Sequence, residues 1–138
     1  MIDHVYISVT DVERSLGFYA AALKPLGWDT RVDYAASPAA PDTPDLFGIL
    51  HEVYGSGTAA GSSIWLRQRK AGETGLYLGI VCGTNALVDA AYAAAIDAGG
   101  LSEGRPEERL YFAKGYYAAN IRDFDGNFIE FVHKSWNP

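Results

Sequence analysis

Glu130, near the end of the sequence, is the residue best placed to take part in catalysis or ligand binding. Glu130 lies in the run FIEFVH (residues 128–133), among aromatic and aliphatic residues. If this run is a strand, Glu130 shares one face with Phe128 and Val132, because strand side chains alternate. A carboxylate on an interior strand is costly to bury unless a cation, a hydrogen-bond donor or water meets it. The candidate partner that we infer is His4, at the opposite end of the chain.

Two predicted strand regions must position these residues. Residues 116–133 form a predicted β-hairpin, because the Asp125-Gly126 step supplies the positive φ that a tight reversal needs. Residues 2–9 alternate as a strand with Val5, Ile7 and Val9 on an apolar face. The opposite face of that strand carries the polar side chains of His4, Tyr6 and Ser8.

The rest of the chain predicts two helices and further strands. Thr10 and Glu13 have the spacing of a capping box, so we expect a helix from Thr10 that ends at Pro25 and Gly27. Further strands are predicted at 28–34, 46–54, 62–68 and 76–82, and a second helix at about 84–98. Residues 35–45 and 99–109 are expected to be rim loops that set specificity.

The arrangement repeats after a shift of about 73 residues, which places Tyr19 over Tyr92 and Leu23 over Ile96. Each half reads strand, helix and several strands, and a unit of this size cannot close a core alone. We therefore predict an α+β fold of two βαβββ modules in a single domain 1–138, module 1 at about 1–70 and module 2 at about 74–138. The mixed sheets should curve into a cup with the helices on its outer face. The predicted cup is lined by His4, Tyr6, Ser8, Trp65, Arg67, Tyr77, Asn120 and Glu130.

The composition and charge of the chain argue against several classes of binding partner. A formal charge of −6 with scattered Lys and Arg argues against nucleic acid, and the glycine-rich stretch 55–61 lacks the ending of a P-loop. No apolar run approaches the roughly 20 residues of a membrane helix, and we expect no export signal. The single cysteine, Cys82, cannot form an internal disulfide, which favours a reducing cytoplasm. The expected partner is a small molecule.

Three segments carry a family resemblance: DHVYISVTD, DVERSLGFYAAALKPLGW and NIRDFDGNFIEFV. In this order they resemble the glyoxalase/bleomycin resistance/dioxygenase superfamily, also called vicinal oxygen chelate proteins. The resemblance implies a cup made by two βαβββ modules. It also implies that many relatives hold a divalent metal there, which chelates two neighbouring substrate oxygens and stabilises an oxyanion or enolate.

Family ligand positions can be compared with this sequence one by one. His4 and Glu130 match a first-strand ligand and the closing-hairpin carboxylate, whereas Tyr77 stands where a second histidine is common and Trp65 where a first-module ligand is expected. The resemblance thus implies a metal pair of His4 and Glu130, with zinc, nickel, manganese and iron not distinguishable. Equally open is a metal-free hydrogen bond between the two. A third alternative makes Glu130 a general base while His4 holds a substrate oxygen.

Five further residues are candidates for substrate binding: Tyr6, Trp65, Arg67, Tyr77 and Asn120. The tyrosines could donate hydrogen bonds or simply pack, and Trp65 could wall a pocket. Arg67 could recognise an anion or pair with a surface acid, and Asn120 could orient a ligand or pair across the hairpin.

Two function classes remain open at the level of sequence. The resemblance implies a glyoxalase-like lyase or isomerase, with catalytic Glu130, acting on a small oxygen-rich molecule. Dioxygenase action is less favoured because Tyr77 replaces a histidine. The alternative is a metal-free small-molecule-binding protein, such as a drug-sequestering resistance protein. We also expect a homodimer, because the predicted sheets leave edges that a second chain could cover.

Overall fold

The same order of elements occurs twice along the chain. The computed structural model describes residues 4–36, 38, 44–51 and 62–135. The elements of module 1 are β1 (His4–Val9), α1 (Val12–Leu23), β2 (Trp28–Tyr34), β3 (Leu46–His51) and β4 (Ser63–Gln68). Those of module 2 are β5 (Tyr77–Val81), α2 (Asn85–Asp97), β6 (Leu101–Glu108), β7 (Tyr116–Arg122) and β8 (Phe128–Lys134). The predicted α+β fold with two repeated modules is confirmed.

Each module forms its own four-stranded mixed sheet. The strand orders are β1-β4-β3-β2 and β5-β8-β7-β6, and within the described residues no strand of one sheet pairs with a strand of the other. In both sheets the first and last strands of the module run parallel. Tyr6 pairs in register with Trp65 in the first sheet, and Gly79 pairs with Glu130 in the second. Trp65 and Glu130 therefore hold equivalent positions.

One apolar core joins both sheets to the helices. It contains Ile7 and Val9 of β1, as the alternation in the sequence predicted, together with Ile80 of β5 and Cys82, which follows β5. The helices add buried side chains such as Leu23 of α1, and strands β3, β4, β7 and β8 add further large ones. The opposite face of each sheet is left for the site. We call these the open faces.

The helix boundaries differ from prediction by one residue at the first helix. Asp11, not Thr10, caps α1, and its carboxylate accepts the backbone N–H of Arg14 at 3.0 Å. The capping-box prediction was wrong because Thr10 is engaged elsewhere: its hydroxyl donates to Asp125 at 2.6 Å, across the junction between the modules. Gly27 ends the helical region at φ 80°, as predicted.

The predicted rim loop 99–109 is largely a strand. Residues 101–108 form β6, which pairs antiparallel with β7 at the edge of the second sheet. Its sequence, LSEGRPEE, misleads because an edge strand exposed to solvent carries charged residues and proline instead of an apolar alternation. Most of the predicted loop 35–45, and the end of the predicted strand 46–54, lie outside the described residues.

The modules are also joined by a buried polar network. Asp123 is 3% exposed and accepts a hydrogen bond from the hydroxyl of Tyr19 at 2.7 Å. The same carboxylate accepts from the side-chain amide of Asn127 at 2.7 Å and from the backbone N–H groups of Asn127 and Asp125 at 2.8 and 2.9 Å. These bonds fix the β7–β8 turn against α1.

Candidate functional site

Glu130 lies on the open face of the second sheet and is 7% exposed. One carboxylate oxygen accepts a hydrogen bond from the hydroxyl of Tyr116 at 2.9 Å, and the other accepts from the hydroxyl of Tyr77 at 3.2 Å. The amide of Asn120 donates to the Tyr77 hydroxyl at 2.9 Å. We call Tyr77, Tyr116, Asn120 and Glu130 the Glu130 cluster. It is built by the adjacent strands β5, β8 and β7.

The phenols of the cluster are held in their protonated form. Burial, and then the hydrogen bond with Glu130, raise the pKa of Tyr116 to about 12. Partial burial also raises the pKa of Tyr77, against the opposing effect of the hydrogen bond from Asn120. The side chain of Tyr77 is 61% exposed, but its hydroxyl is turned into the cluster. At neutral pH both tyrosines are therefore hydrogen-bond donors and not phenolate ligands.

Open space adjoins the carboxylate. Gly79 is the register partner of Glu130, and a Cβ atom added there would meet no atom within 4 Å. Next to it, the rings of Tyr77 and Phe128 lie nearly parallel, with centroids 6.2 Å apart and an angle of 10°. A ligand could thus contact both an aromatic surface and a buried carboxylate.

Arg109 also lies in this region, although the sequence did not predict it as a site residue. It follows β6, and its positive charge lowers the pKa of Tyr77 and of Tyr116, by less than burial raises them. The alternation of strand side chains places Tyr116 on the same face as Asn120, but its hydrogen bond to Glu130 was not predicted. Arg109 falls in the segment predicted to be a loop, and no spacing in the sequence points to it.

The open face of the first sheet is partly filled by its own tryptophan. Trp65 is 8% exposed, and its indole N–H donates to the hydroxyl of Ser63 at 2.9 Å. The ring lies so close to Gly48 that an added Cβ would be 2.5 Å from it. Trp65 is therefore packed within its own sheet, together with Leu46 and Leu50.

The remaining predicted site residues lie on the first sheet. The exposed His4 ring contacts that of Tyr6, with centroids 5.2 Å apart. Arg67 is bound by Glu73 through both terminal nitrogens, which lowers the pKa of Glu73 to about 2, chiefly through this hydrogen bonding. A pocket of about 380 Å³ is lined by Tyr6, Ser8, Arg67, Gly72, Glu73, Thr74, Leu76 and Asn127.

The predicted residues thus fall into two groups on separate sheets. Tyr77, Asn120 and Glu130 are brought together, while Tyr6 and Arg67 line the pocket beside the connector between the modules. Among the described residues, the ion pairs do not include one between His4 and Glu130.

The side chains that the structure describes around Glu130 do not make up the ligand set of a catalytic metal centre. Within residues 4–36, 44–51 and 62–135, no group of three or more His, Cys, Asp or Glu side chains could hold a metal ion. Catalytic zinc sites generally use three protein ligands, and both oxygens of Glu130 already accept phenolic hydrogen bonds.

In the described part of the chain, no helix has the length and apolar character that crossing a bilayer requires.

Comparison with known families agrees with this architecture. The sequence profile of the glyoxalase/bleomycin resistance protein/dioxygenase superfamily matches residues 1–131. The chain belongs to this superfamily. No curated protein gives a significant match to the sequence.

Solved structures of the superfamily share the fold over nearly the whole chain. A glyoxalase/bleomycin resistance protein from Albidiferax ferrireducens T118 is 28% identical, with a TM-score of 0.70 over 96% of this chain and 98% of that one. A domain from Frankia sp. EAN1pec is 18% identical, with a TM-score of 0.67 over 97% of each chain. A family enzyme from Burkholderia phytofirmans PsJN is 17% identical, with a TM-score of 0.64 over 96% and 97%. The last two comparisons establish the fold alone.

Proposed function

We propose that this chain binds a small molecule, without a metal, on the open face of the second sheet. The observation that carries the proposal is the state of Glu130: each carboxylate oxygen accepts a hydrogen bond from a protonated tyrosine. Such a carboxylate is satisfied without a cation, and its position is fixed before a ligand arrives. Preorganised polar groups in a largely apolar surface are typical of small-molecule sites.

The cluster supplies complementary contacts for such a ligand. An ionised carboxylate has about four acceptor positions, so two remain on Glu130 for ligand N–H or O–H groups. The paired rings of Tyr77 and Phe128 offer a flat apolar surface for stacking. The space above Gly79 gives access to both.

The site can be tested by closing that space. Compounds with a planar aromatic ring and a hydrogen-bond donor, such as benzamide and aniline derivatives, are titrated while the backbone NMR signals of β5 and β8 are followed. Gly79→Leu should abolish saturable shifts around Glu130. Gly17→Leu is the matched control, since Gly17 is an exposed helical glycine whose added Cβ would also meet no atom. Equal binding by wild type and Gly79→Leu would contradict the proposal.

Metal independence has its own test. Protein purified without chelator is analysed for divalent metals, in parallel with Glu130→Gln. We expect less than about 0.1 equivalent of metal in both. One equivalent in the wild type that is lost in Glu130→Gln would instead support the metal pair of His4 and Glu130.

A second candidate is proton transfer by Glu130, as in a lyase or isomerase. It is favoured by one observation: the carboxylate is 7% exposed and adjoins two phenols that could hydrogen-bond a developing oxyanion. A compound found to bind is incubated with protein in D₂O. Deuterium incorporation that Glu130→Gln abolishes would establish proton transfer, and its absence would leave binding alone.

We further propose that the chain forms a homodimer in the cytoplasm. Three consecutive apolar side chains are exposed after β6: Leu110 is 67% exposed, Tyr111 73% and Phe112 62%. Such a run favours contact with a second copy, and the buried thiol of the single cysteine suits a reducing compartment. Sedimentation at micromolar concentration should give a dimer that Tyr111→Glu dissociates. A wild-type monomer would refute the assembly, and recovery in a periplasmic or secreted fraction would refute the location.

A further inference from the structure

Arg109 is held over the open face of the second sheet by its backbone. Its N–H donates to the carbonyl of Tyr116 at 2.7 Å, and its carbonyl accepts from the N–H groups of Phe112 and Ala113 at 3.0 and 3.3 Å. The guanidinium reaches back towards Gly104, where an added Cβ would lie 2.9 Å from Nη2 and 3.8 Å from the amide oxygen of Asn120. The charged group is therefore placed beside the Glu130 cluster.

The hydrogen bonding of this guanidinium is incomplete. Nη2 donates to the carbonyl of Ala118 at 3.4 Å and Nη1 to the hydroxyl of Tyr111 at 3.5 Å, both long for such bonds. Nε is buried and has no partner. In the described part of the chain, no carboxylate oxygen lies within the 4.0 Å of an ion pair with Arg109.

Four of the other six arginines pair with a carboxylate, and two have other contacts. Arg31 pairs with Asp33, Arg67 with Glu73, Arg105 with Glu107 and Arg122 with Glu103, while Arg14 lies 3.8 Å over the ring of Phe124 and Arg69 donates four hydrogen bonds. A partly buried guanidinium without a charged partner is unusual, because its five N–H donors and its charge require compensation. Among the described residues, Arg109 has no carboxylate partner, no ring beneath it and only two long hydrogen bonds.

We propose that Arg109 binds an anionic group of the ligand, either a carboxylate or a phosphate. Guanidinium recognises both through two parallel hydrogen bonds, and the two terminal nitrogens of Arg109, which each make one long hydrogen bond within the chain, keep one further N–H each for such a pair. The ligand would then place its anion on Arg109, and its ring and donor groups against Tyr77 and Glu130. This assignment of ligand chemistry rests on the proposed binding function of the same face.

The test uses three probes: benzoate, its neutral counterpart benzamide, and inorganic phosphate. Each is titrated while the ¹H–¹⁵N signal of the Arg109 Nε–H group, assigned from its loss in Arg109→Lys, is followed by NMR. Benzoate or phosphate should shift this signal saturably. A stronger effect of benzoate indicates an organic carboxylate, and a stronger effect of phosphate indicates a phosphate ester.

Three variants localise the effect. Arg109→Gln should weaken anion binding by about tenfold or more, as loss of a charge-assisted pair does. Gly104→Ala keeps the charge but displaces the guanidinium, and should also weaken it. Arg105→Gln removes a positive charge nearby that is 83% exposed, and should change the dissociation constant less than about twofold.

The outcomes separate this inference from the proposed function. If neither anion shifts the Arg109 signal, or if Arg109→Gln binds benzoate as tightly as wild type, the inference is overturned. Benzamide binding that moves Tyr77 but not Arg109 would leave the proposed site standing and remove its anion. Anion binding at Arg109 that Gly79→Leu leaves unchanged would establish the anion site and count against the proposed ligand face.

Discussion

Trp65 and Glu130 stand at the same place in two copies of one sheet. Each lies on the strand beside the first strand of its module, opposite Tyr6 in one case and Gly79 in the other. The indole packs on Gly48, whereas Glu130 faces open space. The same position therefore presents a packed aromatic ring in module 1 and a carboxylate open to a ligand in module 2.

The two glycines beside these residues should respond differently to alanine. Gly48→Ala should destabilise the protein by about 1–3 kcal/mol, because the new methyl group would overlap the indole of Trp65, an overpacking cost. Gly79→Ala should change stability by less than about 0.5 kcal/mol, since nothing is within reach of its Cβ. Urea unfolding of both variants measures the difference. Equal values would show that the indole does not occupy this position.

The titration of Tyr116 should report on Glu130. In the wild type its pKa is about 12, and burial is the largest cause, followed by the hydrogen bond with the carboxylate. Glu130→Gln removes the carboxylate charge, so the pKa should fall but stay above 10. ¹³C NMR of the tyrosine ring carbons measures it. Because a raised folded pKa stabilises the protein below pH 10, this contribution should be lost as the pH rises from about 10 to 12.

The buried bond between Tyr19 and Asp123 should carry much of the stability of the module junction. Asp123→Ala leaves several buried donors unsatisfied and should cost about 3 kcal/mol or more, while Tyr19→Phe should cost about 1–2 kcal/mol. Tyr92→Phe is the matched control, because that hydroxyl bonds Ser102 at an exposed site. Its expected cost is below about 0.5 kcal/mol. Chemical denaturation at pH 7 compares the three, and equal costs for the two tyrosine variants would contradict the prediction.

The ion pair of Arg67 and Glu73 should make the stability of the folded protein depend on pH in the acidic range. Hydrogen bonding to Arg67 lowers the pKa of Glu73 from 4.5 to about 2, so the ionised form is favoured in the folded state. The resulting stabilisation is fully present above pH 4.5 and is lost as the pH falls towards 2. Stability curves of wild type and Glu73→Gln should therefore converge over that range. In an Arg67→Gln background the same substitution should lose most of this pH dependence, since the hydrogen bond from Arg67 is its largest cause and only weaker ones, such as that from the Lys70 N–H, remain. Undiminished pH dependence would exclude Arg67 as the main cause.

Local patterns in the sequence were enough to predict most of the fold. Alternation in 128–133 placed Glu130 on the open face, and the Asp125-Gly126 step predicted the closing hairpin, both as found. The edge strand β6 was not predicted because most of its residues are exposed to solvent, so its sequence lacks the apolar alternation of a buried strand. The cap of α1 was misplaced because Thr10 serves a contact 115 residues away, with Asp125.

The contacts of the site could not be predicted because they depend on long side chains and sheet register. Tyr116 lies four residues before Asn120, the register partner of Glu130, and reaches the carboxylate by extending along the strand past the small Ala118. Sequence spacing does not reveal such a diagonal contact. Arg109 was missed for the same reason, since its position depends on the turn after β6.

The indole of Trp65 has a consequence for stoichiometry. A duplicated fold would ordinarily provide two equivalent positions for a ligand-binding carboxylate, but the indole takes one of them, so each chain should hold a single molecule against a carboxylate of this kind. Calorimetry with such a ligand should therefore saturate at one equivalent per chain.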